Sequence, residues 1–198
     1  VYNDEEDISN FPWQYPSQGD HLGLFPGMIY YWKLFSYDNS GRKLGEDEDY
    51  DVWNFRILPI ILSEPQNGAQ NVPLNQLFSW DAPLSVPAYE FWLTDEVDAE
   101  VENPKVIIEV LGSTSLKYPM DDDFPLEFDK SYYWRVVPKD HNGFYGNSSS
   151  YSNVATFNTS GFAESIGPLS GAELNSVRPT FEINTPLEIS YITFRISD

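Results

Sequence analysis

Short stretches in which hydrophobic and polar residues alternate recur along the middle of the chain. Residues 89–93 place Tyr, Phe and Leu at every second position with Glu and Trp between them, and residues 132–136 alternate in the same way. A period of two is typical of a β-strand with one buried face, whereas no stretch shows the period near 3.6 of an amphipathic helix. The pattern therefore predicts an all-β chain. The predicted strands are 77–80, 89–93, 105–111, 114–118, 132–137 and 154–159.

The pattern also repeats along the chain. Residues 30–33 read YYWK, and 102 positions later residues 132–135 read YYWR. At an offset of 103, residues 78–83 match residues 181–186, with Phe first and Pro last in both. A repeat of about one hundred residues is near the size of one β-sandwich module. The sequence therefore predicts a module that is written more than once.

The residues that carry a family resemblance lie in order across the middle of the chain. They are Pro65 and Gly68, Trp80, Tyr89 and Phe91, Leu126, Tyr132, Trp134 and Val136, Asn142 and Gly143, and Phe157 and Thr159. In this order and spacing, the chain resembles the fibronectin type III family, in the variety common in bacterial surface proteins. The resemblance covers residues 63–160 in full and implies a seven-stranded, immunoglobulin-like Greek-key β-sandwich. One departure is Asp129-Lys130, where the family often has Pro-Gly.

The repeat and the resemblance together divide the chain into three parts. Residues 63–160 are predicted to form one complete fibronectin type III-like module. Residues 1–62 match the C-terminal half of such a module, and residues 161–198 match its N-terminal half. Neither half has enough strands to close a core by itself.

Two interpretations of these half-modules remain open. Either the chain is an excerpt of a long tandem array, or the last segment of one subunit completes the first segment of the next and builds a filament. In both cases the expected partners are copies of the same chain or adjacent modules. The strand expected to pair between subunits contains Tyr191, Thr193, Phe194 and Ile196, because an exposed strand edge needs a partner.

The net charge of the chain excludes some classes of binding partner. The 31 acidic residues against 11 basic residues give a net charge of −20, so the surface should repel nucleic-acid phosphates and anionic lipid headgroups. No segment approaches the roughly 20 apolar residues of a membrane helix, so direct membrane insertion is not expected. The chain has no cysteine, which excludes disulfides and thiolate metal sites. It begins at Val1 without a leader, as expected for a processed product or a piece of a longer chain.

Two acidic clusters are the candidate metal ligands. They contain Asp95, Glu96 and Asp98 in one loop and Asp121, Asp122 and Asp123 in another. In the predicted sandwich both loops lie at the same pole, where carboxylates could share Ca²⁺ and stiffen the joint to the next module. No Asp-x-Asp-x-Asp-Gly loop is present, and the alternative is a solvated acidic surface. No other cofactor is expected.

Three side chains on an outward-facing surface are the candidate binding residues. The alternation that buries Phe91 and Leu93 turns Trp92 outward, and Tyr133 and Arg135 face the same way on the neighbouring strand. Together they could form a cation–π cluster that covers the sheet, a contact with another subunit, or a platform for carbohydrate.

Catalysis finds little support in the sequence. The histidines are His21 and His141, and neither a Gly-x-Ser-x-Gly nor a His-Glu-x-x-His motif is present. We therefore expect an extracellular or cell-surface structural protein that is not an enzyme, namely a subunit or excerpt of a surface fibre, filament or adhesive stalk. The alternative is a carbohydrate-binding or accessory region of a secreted enzyme.

Overall fold

The regular structure of this chain consists of β-strands. The computed structural model describes residues 24–46, 51–96, 101–119, 124–140, 142–162, 164–168, 170–176, 178–184 and 191–196. In these ranges the one other regular element is a single 3₁₀ turn at Ser148–Ser150. The all-β prediction is therefore confirmed. Within the same ranges, no helix is long and apolar enough to cross a membrane.

Twelve strands lie in the described part of the chain. They are β1 Ile29–Trp32, β2 Trp53–Arg56, β3 Ile61–Glu64, β4 Ala69–Val72, β5 Gln76–Asp81, β6 Ala88–Thr94, β7 Val106–Leu111, β8 Ser115–Tyr118, β9 Ser131–Lys139, β10 Ala155–Thr159, β11 Glu164–Gly167 and β12 Glu182–Asn184. Strands β3 to β10 form a β-sandwich, with sheet orders β3-β5-β8 and β4-β10-β9-β6-β7. Neighbouring strands are antiparallel, except that β4 and β10 run parallel.

The first two strands of the sandwich were not among the predicted strands. The chain turns between β3 and β4 at Pro65 and Gly68, and Gly68 has a φ of +81°, which an L side chain rarely adopts. This turn divides the first strand of the implied seven-stranded sandwich into two. As a result β3 pairs with β5 in one sheet, and β4 pairs with β10 in the other.

An aromatic cluster joins the two sheets. The ring of Phe78 lies 4.7 Å from that of Phe91, 5.0 Å from that of Trp134 and 5.6 Å from that of Phe157, measured between centroids. All three contacts are edge-to-face, the geometry that aromatic quadrupoles favour. Trp134 is buried, as the alternation of residues 132–136 predicted, and Trp80 is buried as well. The core therefore depends on rings contributed by both sheets.

The segment before the sandwich repeats the hairpin that β9 and β10 form within it. In β1 and β2, Tyr30 pairs with Phe55, and at an offset of 102 Tyr132 pairs with Phe157. The backbone N–H of Phe25 donates to the Tyr30 hydroxyl at 2.7 Å, and in the sandwich the Glu127 N–H donates to the Tyr132 hydroxyl at 2.9 Å. Such a link from a tyrosine to the backbone upstream is the tyrosine corner of immunoglobulin-like folds.

The turn that follows β1 and the turn that follows β9 are also held by equivalent hydrogen bonds. The Oδ1 atom of Asp38 accepts hydrogen bonds from the backbone N–H groups of Ser40 and Arg42, both at 2.9 Å. Asp140 holds the corresponding turn of the sandwich through the N–H groups of residues 142 and 144, at 2.9 and 2.8 Å. A short acidic side chain can close a turn in this way without long-range contacts. The repeat seen in the sequence is thus a repeat of local structure.

The segment after the sandwich repeats the pairing of β3 with β5 at an offset of 103. Ser165 pairs with Ile183 as Leu62 pairs with Trp80, and the register shifts at the same place in both pairs of strands. The ring of Phe181 lies 4.4 Å from that of Phe194, which matches the contact between Phe78 and Phe91. The boundaries at 62/63 and 160/161 stay a prediction.

The Phe78 cluster yields a stability prediction for the central module. Phe78→Ala removes a ring that contacts both sheets, and truncating a buried Phe to Ala typically costs about 3–5 kcal/mol. Urea unfolding followed by tryptophan fluorescence would measure the loss. Leu84, which is 95% exposed, supplies the control, because Leu84→Ala should change stability by no more than about 0.5 kcal/mol. A cost for Phe78→Ala below about 1 kcal/mol would contradict this account of the core.

Candidate functional site

The outward face of β6 and β9 is covered by the chain that connects β9 to β10. Trp92 and Arg135, which the alternation predicted on the same face of the sheet, are opposite each other in register. Tyr151 from the connection lies over both, with its ring centroid 5.8 Å from that of Trp92 and 5.0 Å from the Arg135 guanidinium carbon. Arg135 is only 7% exposed and donates to the Ser152 carbonyl at 2.8 Å. Arg135 therefore makes a cation–π contact with Tyr151, which the sequence did not indicate. The predicted cluster of Arg135 with Trp92 and Tyr133 stays a prediction.

Glu90 is buried beneath the same connection. Its carboxylate accepts hydrogen bonds from the Trp92 indole N–H at 2.9 Å and from the Tyr145 hydroxyl at 2.8 Å, and Lys139 lies at 3.4 Å. The hydrogen bond to Glu90 raises the pKa of Tyr145. Because one carboxylate joins two strands to the connection, this cluster holds the β9–β10 connection on the sheet. Of the three predicted binding residues, Tyr133 is half-buried and lies outside this cluster.

Asp95 is held by lysines at the end of β6. Its carboxylate forms ion pairs with Lys105 and, at 2.6 Å, with Lys130, and its side chain is 7% exposed. Glu96 lies 3.4 Å from Lys105. Burial alone would raise the pKa of Asp95, but the hydrogen bonds from both lysines lower it below its usual value. The same hydrogen bond to Asp95 raises the pKa of Lys130.

These ion pairs change the interpretation of the acidic clusters. In the described ranges, no group of three or more His, Asp or Glu is arranged to hold a metal ion. Asp98, Asp121, Asp122 and Asp123 lie outside the described residues, so the calcium hypothesis stays a prediction for them. Asp95 already has two ammonium partners, so its charge is compensated without a metal ion.

Both flanking segments expose the side chains that are core in the sandwich. Trp32 is 44% exposed, whereas its equivalent Trp134 is fully buried. Phe194 is 56% exposed, whereas its equivalent Phe91 is fully buried. The predicted inter-subunit strand, residues 191–196, is exposed at every position and belongs to no strand of the chain. We call these surfaces the open faces. The first face consists of the exposed Trp32, Trp53 and Phe55 with the half-buried Tyr30, and the last of Phe181, Ile183, Phe194 and Ile196.

Comparison with known proteins finds partial likenesses to solved structures. No protein-family model matches the sequence, and no curated protein is significantly similar to it. An α-L-rhamnosidase from Dictyoglumus thermophilum has a TM-score of 0.39 and 24% identity over 50% of this chain and 12% of the enzyme. An α-L-rhamnosidase from Streptomyces avermitilis, complexed with L-rhamnose, has a TM-score of 0.37 and 16% identity over 51% of this chain and 10% of the enzyme. This chain thus spans about a tenth of their length, and its function is inferred from its own residues.

The Asp95 ion pairs predict a pH-dependent stability. Asp95→Asn should lower the free energy of unfolding at pH 7 by about 1–2 kcal/mol, because both lysines lose a charged hydrogen-bond acceptor. The cost is no larger because both lysine side chains are partly exposed to solvent. The folded-state pKa of Asp95 is lowered, so its contribution is fully present above the unfolded pKa of about 3.9 and is lost as the pH falls through the folded value. The difference between wild type and variant should therefore shrink below about pH 4.

Urea unfolding at several pH values would measure that difference. Asp51→Asn is the matched control, because it also removes one carboxylate but from an exposed position. If both substitutions cost the same at pH 7, the ion pairs at Asp95 do not stabilise the fold.

Proposed function

We propose that this protein is a non-catalytic structural protein, part of an extracellular or cell-surface fibre or stalk built from repeated β-sandwich modules. The observation that carries the proposal is the double repetition of local structure around one closed module. A chain that repeats a folding unit of this size extends by adding units, since each unit contacts only its neighbours. Its proposed role is mechanical, and no reaction is assigned to it.

The connections between the repeated units are short and similar in length. Residues 57–60 join β2 to β3, and residues 160–163 join β10 to β11. In the first connection, the Gly27 N–H donates to the carbonyls of Ile57 and Leu58 at 3.1 and 3.2 Å. In the second, Asp129, the equivalent of Gly27, donates to the Ser160 carbonyl at 2.9 Å. Each connection is therefore fixed to the unit that it leaves.

The first segment and its connection also pack against the central sandwich. A Cβ atom placed on Gly27 would lie 3.0 Å from the Ser149 carbonyl oxygen, and one placed on Gly146 would lie 2.9 Å from the Phe25 ring. Ile60, at the end of the connection, is part of the core of the central sandwich. Close contact on both sides of a four-residue connection favours a fixed angle between units over a flexible hinge. A fixed angle is what a stalk or fibre requires.

The carbohydrate-binding alternative depends on a flat, accessible aromatic surface. Trp92 was its main candidate, but its ring makes an edge-to-face contact with Tyr151, and its indole N–H donates to Glu90. Sugar platforms use aromatic faces that solvent can reach, so this arrangement favours the structural role.

A pair of glycine substitutions tests whether the joint is rigid. Gly27 and Gly41 have φ values of +76° and +78°, but a Cβ on Gly41 would have no neighbour within 4 Å. Ala at either position imposes similar backbone strain. We expect Gly27→Ala alone to broaden the distribution of distances across the joint.

Because the chain has no cysteine, spin labels at Asn54→Cys and Leu84→Cys would report that distance by pulsed electron paramagnetic resonance. Dilution with unlabelled protein removes distances between molecules. A broad distribution in the otherwise unchanged protein would show a flexible joint and contradict the proposed role.

Carbohydrate binding supplies a second test of the function. We expect no saturable binding on a glycan array or at millimolar oligosaccharide in calorimetry, because Trp92 is half-buried and in contact with Tyr151. Saturable binding that Trp92→Ala abolishes, and that Leu84→Ala leaves intact, would instead support a carbohydrate-binding or accessory region of a secreted enzyme.

A further inference from the structure

We infer that the chain between β9 and β10 contains a strap, residues 145–152, which couples the joint at residues 57–60 to the outward face of β6 and β9. While the first segment packs on the strap, the face is covered, and when the joint opens, the face is uncovered. The inference rests on the proposed function in one respect, since it concerns the same joint. It goes beyond that function by naming the element that fixes the joint and the surface that this element controls.

The strap is tied to β9 on one side. The Ser152 N–H donates to the Val136 carbonyl at 2.9 Å, and the Val136 N–H donates to the Ser152 hydroxyl at 2.9 Å. Ser152 is 2% exposed, and its carbonyl accepts the hydrogen bond from Arg135. Its neighbour Tyr151 lies over Trp92 and Arg135. The end of the strap, and with it the cover over the face, is therefore held by Ser152.

The strap contacts the first segment on its other side. The Ser149 carbonyl oxygen would lie 3.0 Å from a Cβ atom on Gly27, and the Phe25 ring would lie 2.9 Å from a Cβ atom on Gly146. The Cβ atom on Gly146 would also overlap the Ser150 side chain. Groups packed this closely transmit a displacement from one side to the other, because a close-packed contact is hard to compress.

Close packing explains why residue 146 is a glycine. The φ of Gly146 lies outside the left-handed region, so its backbone conformation does not require glycine. The repeated unit does not require it either, because Leu44 stands at the same place 102 positions earlier and is 44% exposed. The missing side chain therefore serves the contact of the strap with Phe25 and Ser150.

The two sides of the strap are joined by the 3₁₀ turn and its internal hydrogen bonds. The Ser149 N–H donates to Asn147 Oδ1 at 3.0 Å, and the Ser150 N–H and hydroxyl donate to the Asn147 carbonyl at 2.9 and 2.7 Å. Ser150 is 1% exposed and directly precedes Tyr151. The residues that contact the first segment are thus linked to the covering ring without a flexible spacer. We therefore expect the two ends of the strap to move together.

The coupling acts in both directions. Two sets of contacts that favour the same closed arrangement stabilise each other by the same free energy, so the loss of either set weakens the other. Opening the strap would return the Arg135 guanidinium to water, which offsets part of the cost of losing its protein partners. Tension or bending at the joint would then expose Arg135 and Trp92. The core would stay closed, because the Phe78 cluster lies between the two sheets.

Hydrogen exchange followed by mass spectrometry tests the coupling from the joint to the strap. Gly27→Ala disturbs the first segment where it contacts the strap, and Gly41→Ala imposes similar backbone strain away from it. We expect Gly27→Ala alone to speed the exchange of the amides of residues 149–152 several-fold, because local opening breaks their hydrogen bonds. The amides of β6 should keep their protection. Exchange at residues 149–152 that does not differ between the two variants would overturn the inference.

Spin-label distances test the coupling from the strap to the joint. Tyr151→Ala removes the covering ring and changes neither Gly146 nor Ser149. We expect it to broaden the distance distribution across the joint, measured with the same pair of spin labels as above. Phe144→Ala is the matched control, because it removes an exposed ring from the same connection, and it should leave the distribution narrow.

Asn147→Ala keeps the inference testable if Tyr151→Ala misfolds. It removes the acceptor of the Ser149 N–H from an exposed position of the strap, so it should broaden the same distribution. A narrow distribution in both variants would overturn the inference and leave the proposed function standing, because the joint would stay fixed without the strap. A broad distribution already in the unchanged protein would contradict the proposed function, and the inference with it, since no fixed joint would remain to be coupled.

Discussion

The contact of aromatic rings from two facing sheets is the constraint on which this structure depends. Phe78 can be buried only if Phe91, Trp134 and Phe157 reach it from strands far apart in sequence. A segment that carries half of these strands forms its hairpin but cannot close its core. The described residues thus contain one closed module and two open faces with the same chemistry, and the stability of the module depends on these rings.

Local and long-range interactions are separable in this chain because the repeats preserve the local ones. The hydrogen bond to the Tyr30 hydroxyl and the turn at Asp38 need only a few neighbouring residues, so they form in the first segment as they do around Tyr132 and Asp140. Burial of the rings needs the other sheet. The first segment therefore has the backbone turns of the closed module although its rings Trp32 and Phe55 are exposed.

The sequence predicted the parts of the fold that depend on periodicity and repetition. Alternation identified β6 and β9 and the burial of Trp134, because each depends on which face of a strand a residue occupies. It missed β3 and β4, which are short and separated by a turn. It also failed to predict that Arg135 would be buried, since this depends on how the connection carrying Tyr151 folds back. The Asp95 partners were missed for a related reason, because Lys130 is close to Asp95 in space and distant in sequence.

The topology of the sandwich is well suited to bearing load along the chain. Tension applied through residues 57–60 would act first on β3, which pairs with β5, and then across the turn at Pro65 and Gly68 on β4. Tension applied after Ser160 would act on β10, which runs parallel to β4 and pairs with it. Pulling such strands in opposite directions loads their hydrogen bonds in shear, so several bonds must break together rather than one after another. Antiparallel neighbours joined by a hairpin would instead open from one end. A stalk built from this module would therefore resist extension through the same strand pair that sends the chain from one pole to the other.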